Sequence, residues 1–334
     1  MSYMKDNERE QPLVSFIIPV YNLPAEMVRE CIESITSLSL SVGEREIIVV
    51  DDGSDISPLN GLADLSNDFI YIRQCNKGPA AARNKGIQMS AGKYIQFVDG
   101  DDKLIRTPYE HCLDIVRYRH PDMVLFDFVS YKENGDVLTS LKDKKKTDVP
   151  YEYSPPVTGS EYMRNNNLRA SPWGYIFRKT ILGSLRFDES LTSEEDEDFT
   201  PRLMLRSERL ISTSAKAYCY IQRSGSLTKN DDGRHIDKRL NNTETIIDRL
   251  CVTLAALPDE DKPAMERRIA QLTMDYLYNT IRLKHDESIL NQTIGRLKRK
   301  GLFPLPDKKY TRKYTYFRKC MNHGLTRKLM VRFL

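Results

Sequence analysis

A chain of 334 residues is long enough for one large domain, or for a catalytic domain with a smaller appendage. Its 40% hydrophobic and 29% charged residues are the composition of an ordinary globular protein, and a net charge of only +4 gives no bulk argument for a nucleic-acid partner. No apolar run nears the roughly 20 residues that a bilayer-spanning helix needs, and the polar stretch Met1 to Gln11 lacks the apolar segment of a secretory signal.

Leu13 to Ile18 is a short apolar run, rich in branched residues and stopped by Pro19, which predicts a buried strand. Pro24 opens a helical pattern in which Met27, Cys31, Ile35 and Leu38 share a face. Ile47 to Val50 reads as a second buried strand, ended by Asp51-Asp52-Gly53-Ser54. A short helix follows over 59–65, then an alternating strand over 69–73. Pro79 to Ser90 reads as a helix stopped by Ala91-Gly92, and Tyr94 to Val98 as a fourth strand, again ended by acids. A helix over 107–118 and a strand over 123–129 complete the series. Alternating strands and helices imply a largely parallel sheet covered by helices. Ligands of such sheets sit beyond the carboxyl ends of the strands. Here those ends carry Tyr21-Asn22, Asp51-Asp52 and Asp99-Gly100-Asp101-Asp102.

Beyond this, Asp143 to Asp148 is a charge run and Pro150 to Pro156 is rich in Pro and Tyr, which together read as an exposed excursion. Residues 160–226 give mixed signals. From about His235 the pattern turns helical, with apolar stripes at Ile246, Ile247, Leu250, Leu254 and Leu257, then Ile269 to Ile281, then Ile289, Ile294 and Leu297. No acid follows Asp307, while Lys308, Lys309, Arg312, Lys313 and further cations crowd the tail.

Several chemistries lack their motif. There is no G-x-x-x-x-G-K-[ST] phosphate loop, no G-x-G-x-x-G turn and no G-x-S-x-G nucleophile elbow. The six cysteines are widely scattered, as expected of small apolar residues in a reducing compartment, and the five histidines have no metal-ligand spacing. The glycosylation-type tripeptides at Asn241 and Asn291 read as chance matches.

The acids carry more. Asp99 and Asp101, two apart in a turn, can converge on a hard cation such as magnesium or manganese and so bridge a diphosphate, and Gly100 between them permits close backbone approach. A carboxylate at Asp51 or Asp52 can accept the N–H of a uracil-like base or ribose hydroxyls; the plainer account is a turn closed by Gly53 and Ser54. Arg83, in the helix-opening run Lys77 to Asn84, can hold a carbonyl or phosphate through its fork, or be a solvated helix residue. The run Glu194-Glu195-Asp196-Glu197-Asp198 is either favourable acid placement at a helix start, a solvated charge run, or the seat of a general base whose pKa its neighbours raise.

Taken together, Pro19-Val20-Tyr21-Asn22, Val50-Asp51-Asp52-Gly53-Ser54, Gly78 to Asn84 and Phe97-Val98-Asp99-Gly100-Asp101-Asp102 resemble, in order and spacing, the family 2 glycosyltransferases of the GT-A fold. The resemblance is strong over residues 13–130 and continues more weakly to about residue 228. It implies an α/β fold: a GT-A (Rossmann-like) nucleotide-sugar-binding domain with a mostly parallel central sheet, over residues 1–230, and a C-terminal helical extension with a basic tail over 231–334. It implies that Pro19, Val20 and Tyr21 line the nucleotide pocket, that Asp51 or Asp52 binds the base, and that Arg83 contacts base or diphosphate. Asp99, Gly100 and Asp101 would form the Asp-x-Asp element, with Asp101 the direct ligand of manganese or magnesium. Asp196 would be the base, supported by Glu195, with Glu194, Glu197 and Asp198 as alternatives. Trp173 would floor the acceptor pocket or be a core residue, and Arg223 or Ser226 would touch the diphosphate.

The implied reaction is metal-dependent, inverting transfer of one sugar from a nucleotide-diphosphate sugar, a UDP-sugar first, to a hydroxyl of a glycan or lipid-linked acceptor, as in cell-surface polysaccharide synthesis. The Gln-x-x-Arg-Trp element and membrane spans of processive synthases are absent. The expected location is cytoplasmic, with the aromatic and basic tail either resting on the inner face of an anionic membrane or packed on the core. Two alternatives remain: a non-enzymatic nucleotide-sugar binder, and a sugar-phosphate nucleotidyltransferase. The latter needs a Gly-rich, Arg-containing loop after the first strand, where this chain has Tyr21-Asn22-Leu23-Pro24. A nucleic-acid role would rest on the basic tail alone and is not expected.

Overall fold

The structure, a computed structural model, describes residues 11–132, 151–223, 233–308 and 310–333. The charge run over 143–148 and Ser226 lie outside the described residues.

Apolar alternation builds the first strands. β1 (Val14–Val20) points Val14, Phe16, Ile18 and Val20 to one face, where they pack with Val28, Cys31, Ile32 and Ile35 of α1 (Ala25–Thr36). β2 (Arg45–Asp51) sends Ile47 and Val49 to that same core and Ile48 and Val50 to the opposite face, against Ala82 of α2 (Pro79–Met89). Gly86 lets α2 lie close to β1, because a Cβ there would sit 2.2 Å from Ile17 Cγ2. β3 (Ile70–Arg73) and β4 (Tyr94–Phe97) follow, then the two-residue β5 (Lys103–Leu104), α3 (Arg106–Arg119) and β6 (Met123–Lys132). The apolar run expected to stop before Pro19 runs through it. Pairing with β4 ends at Ile17, so the missing proline N–H falls where β1 no longer has a neighbour on that side.

Among the described residues, eight strands form one sheet in the order β3-β2-β1-β4-β7-β6-β8-β5. The expected parallel arrangement describes β3-β2-β1-β4, and β6 also runs parallel to β8 (Leu210–Gln222). β7 (Tyr175–Arg178) runs antiparallel between β4 and β6, and β5 is antiparallel to β8, so the whole sheet is mixed. In the parallel part the strand ends are level: Val20 pairs with Asp51, and Asp51 with Arg73.

The chain divides into two compact units, and not at a single point. The first holds the residues up to Val157, Ser171–Ser190 and the stretch from Arg206 through β8. The second holds Thr158–Ala170, Leu191–Leu205 and the described residues from Gly233 onward. The region expected as one catalytic domain, 1–230, thus gives α4 (Gly159–Asn165) and α5 (Glu195–Met204) to the unit built by the C-terminal helices. Close packing explains why: a Cβ on Gly159 would sit 1.8 Å from the Met204 carbonyl oxygen, and Arg267 donates to the Met163 and Asn166 carbonyls.

The second unit's other helices are α6 (Gly233–Ala256), α7 (Lys262–Lys284), α8 (Glu287–Arg299), α9 (Arg312–Asn322) and α10 (Gly324–Phe333). Ile246, Ile247 and Leu250 meet Ile269, Leu272 and Leu277, then Leu290, Ile294 and Leu297, as the three stripes predict. The basic tail packs Tyr314, Phe317, Met330 and Val331 on this core and leaves Tyr316, Leu325 and Leu329 exposed. No helix among the described residues is long and apolar enough to cross a membrane.

Glu244 of α6 ties three helices together by accepting from Tyr276 (2.7 Å), Arg296 (3.1 Å) and Lys300 (2.9 Å). Burial pushes its carboxyl up, but the Arg296, Lys300 and Tyr276 hydrogen bonds outweigh burial and bring it down from 4.5 to about 2. A carboxyl depressed in the folded state stabilises fully above the unfolded value and loses that contribution as pH falls through the folded one. Glu244→Gln is therefore expected to lower stability by about 2 kcal/mol at neutral pH. The deficit should shrink between about pH 4.5 and 2. Chemical denaturation across that range checks it, and equal stability of the two proteins at pH 7 would remove the role.

Candidate active site

At the end of β2 the two adjacent acids do different work. Asp51 is fully buried; it accepts from the Ser54 N–H (2.8 Å) and the Tyr71 hydroxyl (2.5 Å), with Arg73 Nε 3.6 Å away. Burial alone would push this carboxyl up, and the bonds from Ser54 and Tyr71 with the Arg73 charge carry it below its ordinary value. Asp52, 3% exposed, turns toward the loop before α2 and accepts from Gln74 Nε2 (2.7 Å), the Lys77 N–H (3.0 Å) and the Gly78 N–H (2.7 Å). Gly78 has φ +91°, a conformation that an L side chain rarely adopts. Asp52 therefore sets the entry to α2.

The end of β1 is tied to the same loops. Asn22, in the left-handed region at φ 49°, donates its N–H to Ser54 Oγ (2.8 Å) and accepts at Oδ1 from the Asp55 N–H (2.8 Å). Val20 is buried, Pro19 partly so, and Tyr21 is 47% exposed at this edge.

On α2, Arg83 is buried. Its Nη2 lies 3.2 Å from Asp99 Oδ1 and its guanidinium sits over the Phe187 ring. Asn84 fixes the Phe187 backbone by a reciprocal pair of 2.9 Å bonds, to its N–H and its carbonyl. Asp99, Gly100 and Asp101 follow β4. A Cβ on Gly100 would meet Leu23 Cδ1 at 2.9 Å and Val20 Cγ2 at 3.0 Å, so a glycine lets this turn lie against the end of β1. Asp101 receives the Arg223 fork, both bonds falling on Oδ2, one at 2.9 Å.

The structure adds groups that sequence reasoning missed. Asp102 is buried and accepts at Oδ2 from the Tyr218 hydroxyl (2.9 Å) and at Oδ1 from the Ile221 N–H (2.7 Å). Burial first, then the charges of Asp99 and Asp101, raise it well above the carboxylate range. The Tyr218 oxygen also accepts the Asp99 N–H (3.0 Å). β8 therefore clamps the acidic turn. The signal for β8 was present in Ile211, Thr213, Tyr218, Tyr220 and Ile221, which are β-branched or aromatic. Trp173 is buried in the first unit's core, stacked on Tyr218 at 4.4 Å and 10° and on Tyr220 at 5.8 Å.

The edge thus offers a hard cation an all-oxygen donor set. Asp99 and Asp101 side chains are 28% and 23% exposed, so a cation can reach both. Among the described residues no group of three or more His, Cys, Asp or Glu could hold a metal by itself. A magnesium or manganese ion at Asp99 and Asp101 would need further oxygen ligands, such as substrate phosphates.

In the second unit, the acidic run forms the first turn of α5, where the helix dipole favours it. Glu194, the residue before the helix, sits at φ 61° and is held by Arg239 (2.9 Å) and Thr243 of α6. Glu197 pairs with buried Arg268, and Asp198 with Arg202 (2.8 Å). Glu195 is buried and Asp196 partly exposed.

Residues 15–182 match the family model described as Glycosyl transferase family 2. The chain is 28% identical to the glycosyltransferase EpsJ of Bacillus subtilis over 65% of its own length and 63% of EpsJ. It is 30% identical to the glycosyltransferase GlyA of Streptococcus pneumoniae over 65% of its length and 31% of GlyA, so it spans less than two thirds of either relative. Among solved structures, S. aureus TarS 1-349 in complex with UDP-GlcNAc superposes with a TM-score of 0.67 at 21% identity, covering 96% of this chain and 88% of that one, which shows a shared fold. The chain belongs to glycosyltransferase family 2.

If Asp52 sets the α2 entry, Asp52→Ala strands two backbone N–H groups and should cost about 2 kcal/mol. Hydrogen exchange should quicken at Lys77 and Gly78 while β1 stays protected. Unchanged exchange there would show that the loop holds itself.

Proposed function

We propose that the chain transfers a single sugar from a UDP-sugar to a hydroxyl of a glycan or lipid-linked acceptor, with inversion at the anomeric carbon. The reading is carried by one observation: the loops after β1, β2 and β4, bearing Asp51-Asp52 and Asp99-Asp101, are bonded into one edge of the parallel sheet, with two arginines on the acids. Support for the donor comes from TarS, solved in complex with UDP-GlcNAc on the same fold.

In this reading Asp51 and Asp52 shape the base and ribose end of the pocket, through the loops they organise. Asp99 and Asp101 would hold a manganese or magnesium ion, which when bound offsets the charge of the departing nucleoside diphosphate. Arg83 and Arg223 neutralise the acids before donor binds and then turn their forks to phosphate oxygens. Asp196, supported by Glu195, takes the proton of the acceptor hydroxyl as that oxygen attacks. Glu194, Glu197 and Asp198 stand in the same turn as alternatives to it.

Asp196→Asn is expected to lower turnover about 100- to 10,000-fold, the usual contribution of a general base, with donor affinity kept. Single-turnover kinetics beside donor titration check it, and near-normal turnover would discard Asp196. Asp101→Ala should abolish the dependence of donor affinity on manganese. An unaltered manganese titration in that variant would take Asp101 out of the site.

A further inference from the structure

A cavity of about 730 Å³ lies in the second unit, lined from α5, α6, α7, α9 and α10. It is of the size that ordinarily takes a small-molecule ligand. Its lining changes character from one end to the other according to the helix that supplies it. The α5 and α6 end is polar, with Glu194, Glu197, Arg239 and Thr243. The α9 and α10 end is mainly apolar, with Tyr316, Phe317, Leu329 and Met330, and carries Lys313 and Thr326 as polar groups. Helix α7 spans both, giving Leu272 and Tyr278 on one hand and Asp275 on the other.

The polar groups are fixed rather than free to swing. Glu194 is held by Arg239 and Thr243, Glu197 by Arg268, and Asp275 accepts from the Tyr314 hydroxyl (2.8 Å). Ordered carboxylates with partnered charges suit a neutral ligand rich in hydroxyl donors, because each retains lone pairs beyond those already bonded. Aliphatic and aromatic side chains at the other end suit an alkyl or isoprenoid chain. Tyr316 and Leu329 are 71% and 55% exposed, so apolar surface continues from the cavity to solvent. A free sugar would leave that end unfilled, and a plain lipid would leave the carboxylates without hydroxyl partners.

We propose that this cavity binds an amphiphile, a hydroxylated head group on an apolar chain, with the head at the first turn of α5 and the chain along α9 and α10. The binding of an amphiphile does not rest on the proposed transferase activity.

The test is calorimetric titration of the full chain with three probes below their micelle concentrations: dodecyl maltoside, maltose and dodecylphosphocholine. Dodecyl maltoside is expected to bind at least about tenfold more tightly than either of the others, since each lacks one half of the match. Leu329→Glu and Tyr316→Ser, both at exposed positions that the fold tolerates, should each weaken it about tenfold, with circular dichroism confirming folded protein. Dodecylphosphocholine binding as tightly as the glycoside, undiminished binding by both variants, or no binding of dodecyl maltoside overturns the proposal. UDP-sugar binding measured on the same samples reads the donor reaction separately. Glycoside binding without donor binding would sink the transferase reading and leave the amphiphile site standing.

Discussion

Five carboxylates, Asp51, Asp52, Asp99, Asp101 and Asp102, crowd the ends of adjoining strands, and their mutual repulsion and loss of hydration must be offset within the chain. Each is offset differently. Asp51 takes Ser54 and Tyr71, Asp52 takes the N–H groups before α2, Asp99 takes Arg83, Asp101 takes Arg223, and Asp102 takes Tyr218 and Ile221. The three acids that are most buried are bonded by hydroxyls, backbone and the Gln74 amide, and shape loops. The two that remain part-exposed carry arginines.

The mixed half of the sheet exists, in physical terms, to hold that turn. β8 reaches it through β5 and through Tyr218, whose hydroxyl bonds both the Asp99 N–H and the Asp102 carboxylate. Trp173 stacks on the same tyrosine and so supports the turn from the core side. In the second unit the acids of α5 are organised by the same means, with Arg239, Arg268 and Arg202 each taking one.

What could be read from the chain alone follows from the range of the interactions. The first strands and helices were legible because β1 and β2 carry dense apolar runs and α1 a clear helical stripe, patterns set by local burial. The acids were legible because they stand at strand ends. Which way each acid turns was not, since Asp51 and Asp52 differ only by partners supplied from Tyr71 and Gly78. The antiparallel strands were missed because β7 is four residues long and β8 is polar along part of one face. The packing of α5 with the C-terminal helices depends on contacts about 70 residues apart in sequence, such as Glu197 with Arg268, which no periodicity reveals.

The central claim is that the acidic edge of the parallel sheet binds a sugar nucleotide through a divalent cation. Thermal unfolding of the chain with a panel of UDP-sugars, with manganese and with a chelator in its place, tests this most directly. A true donor at about a hundredfold its dissociation constant should stabilise by about 2.7 kcal/mol. The melting temperature is expected to rise with concentration for at least one UDP-sugar, and not to rise with the chelator present. No rise with any UDP-sugar, or one indifferent to the metal, would contradict it.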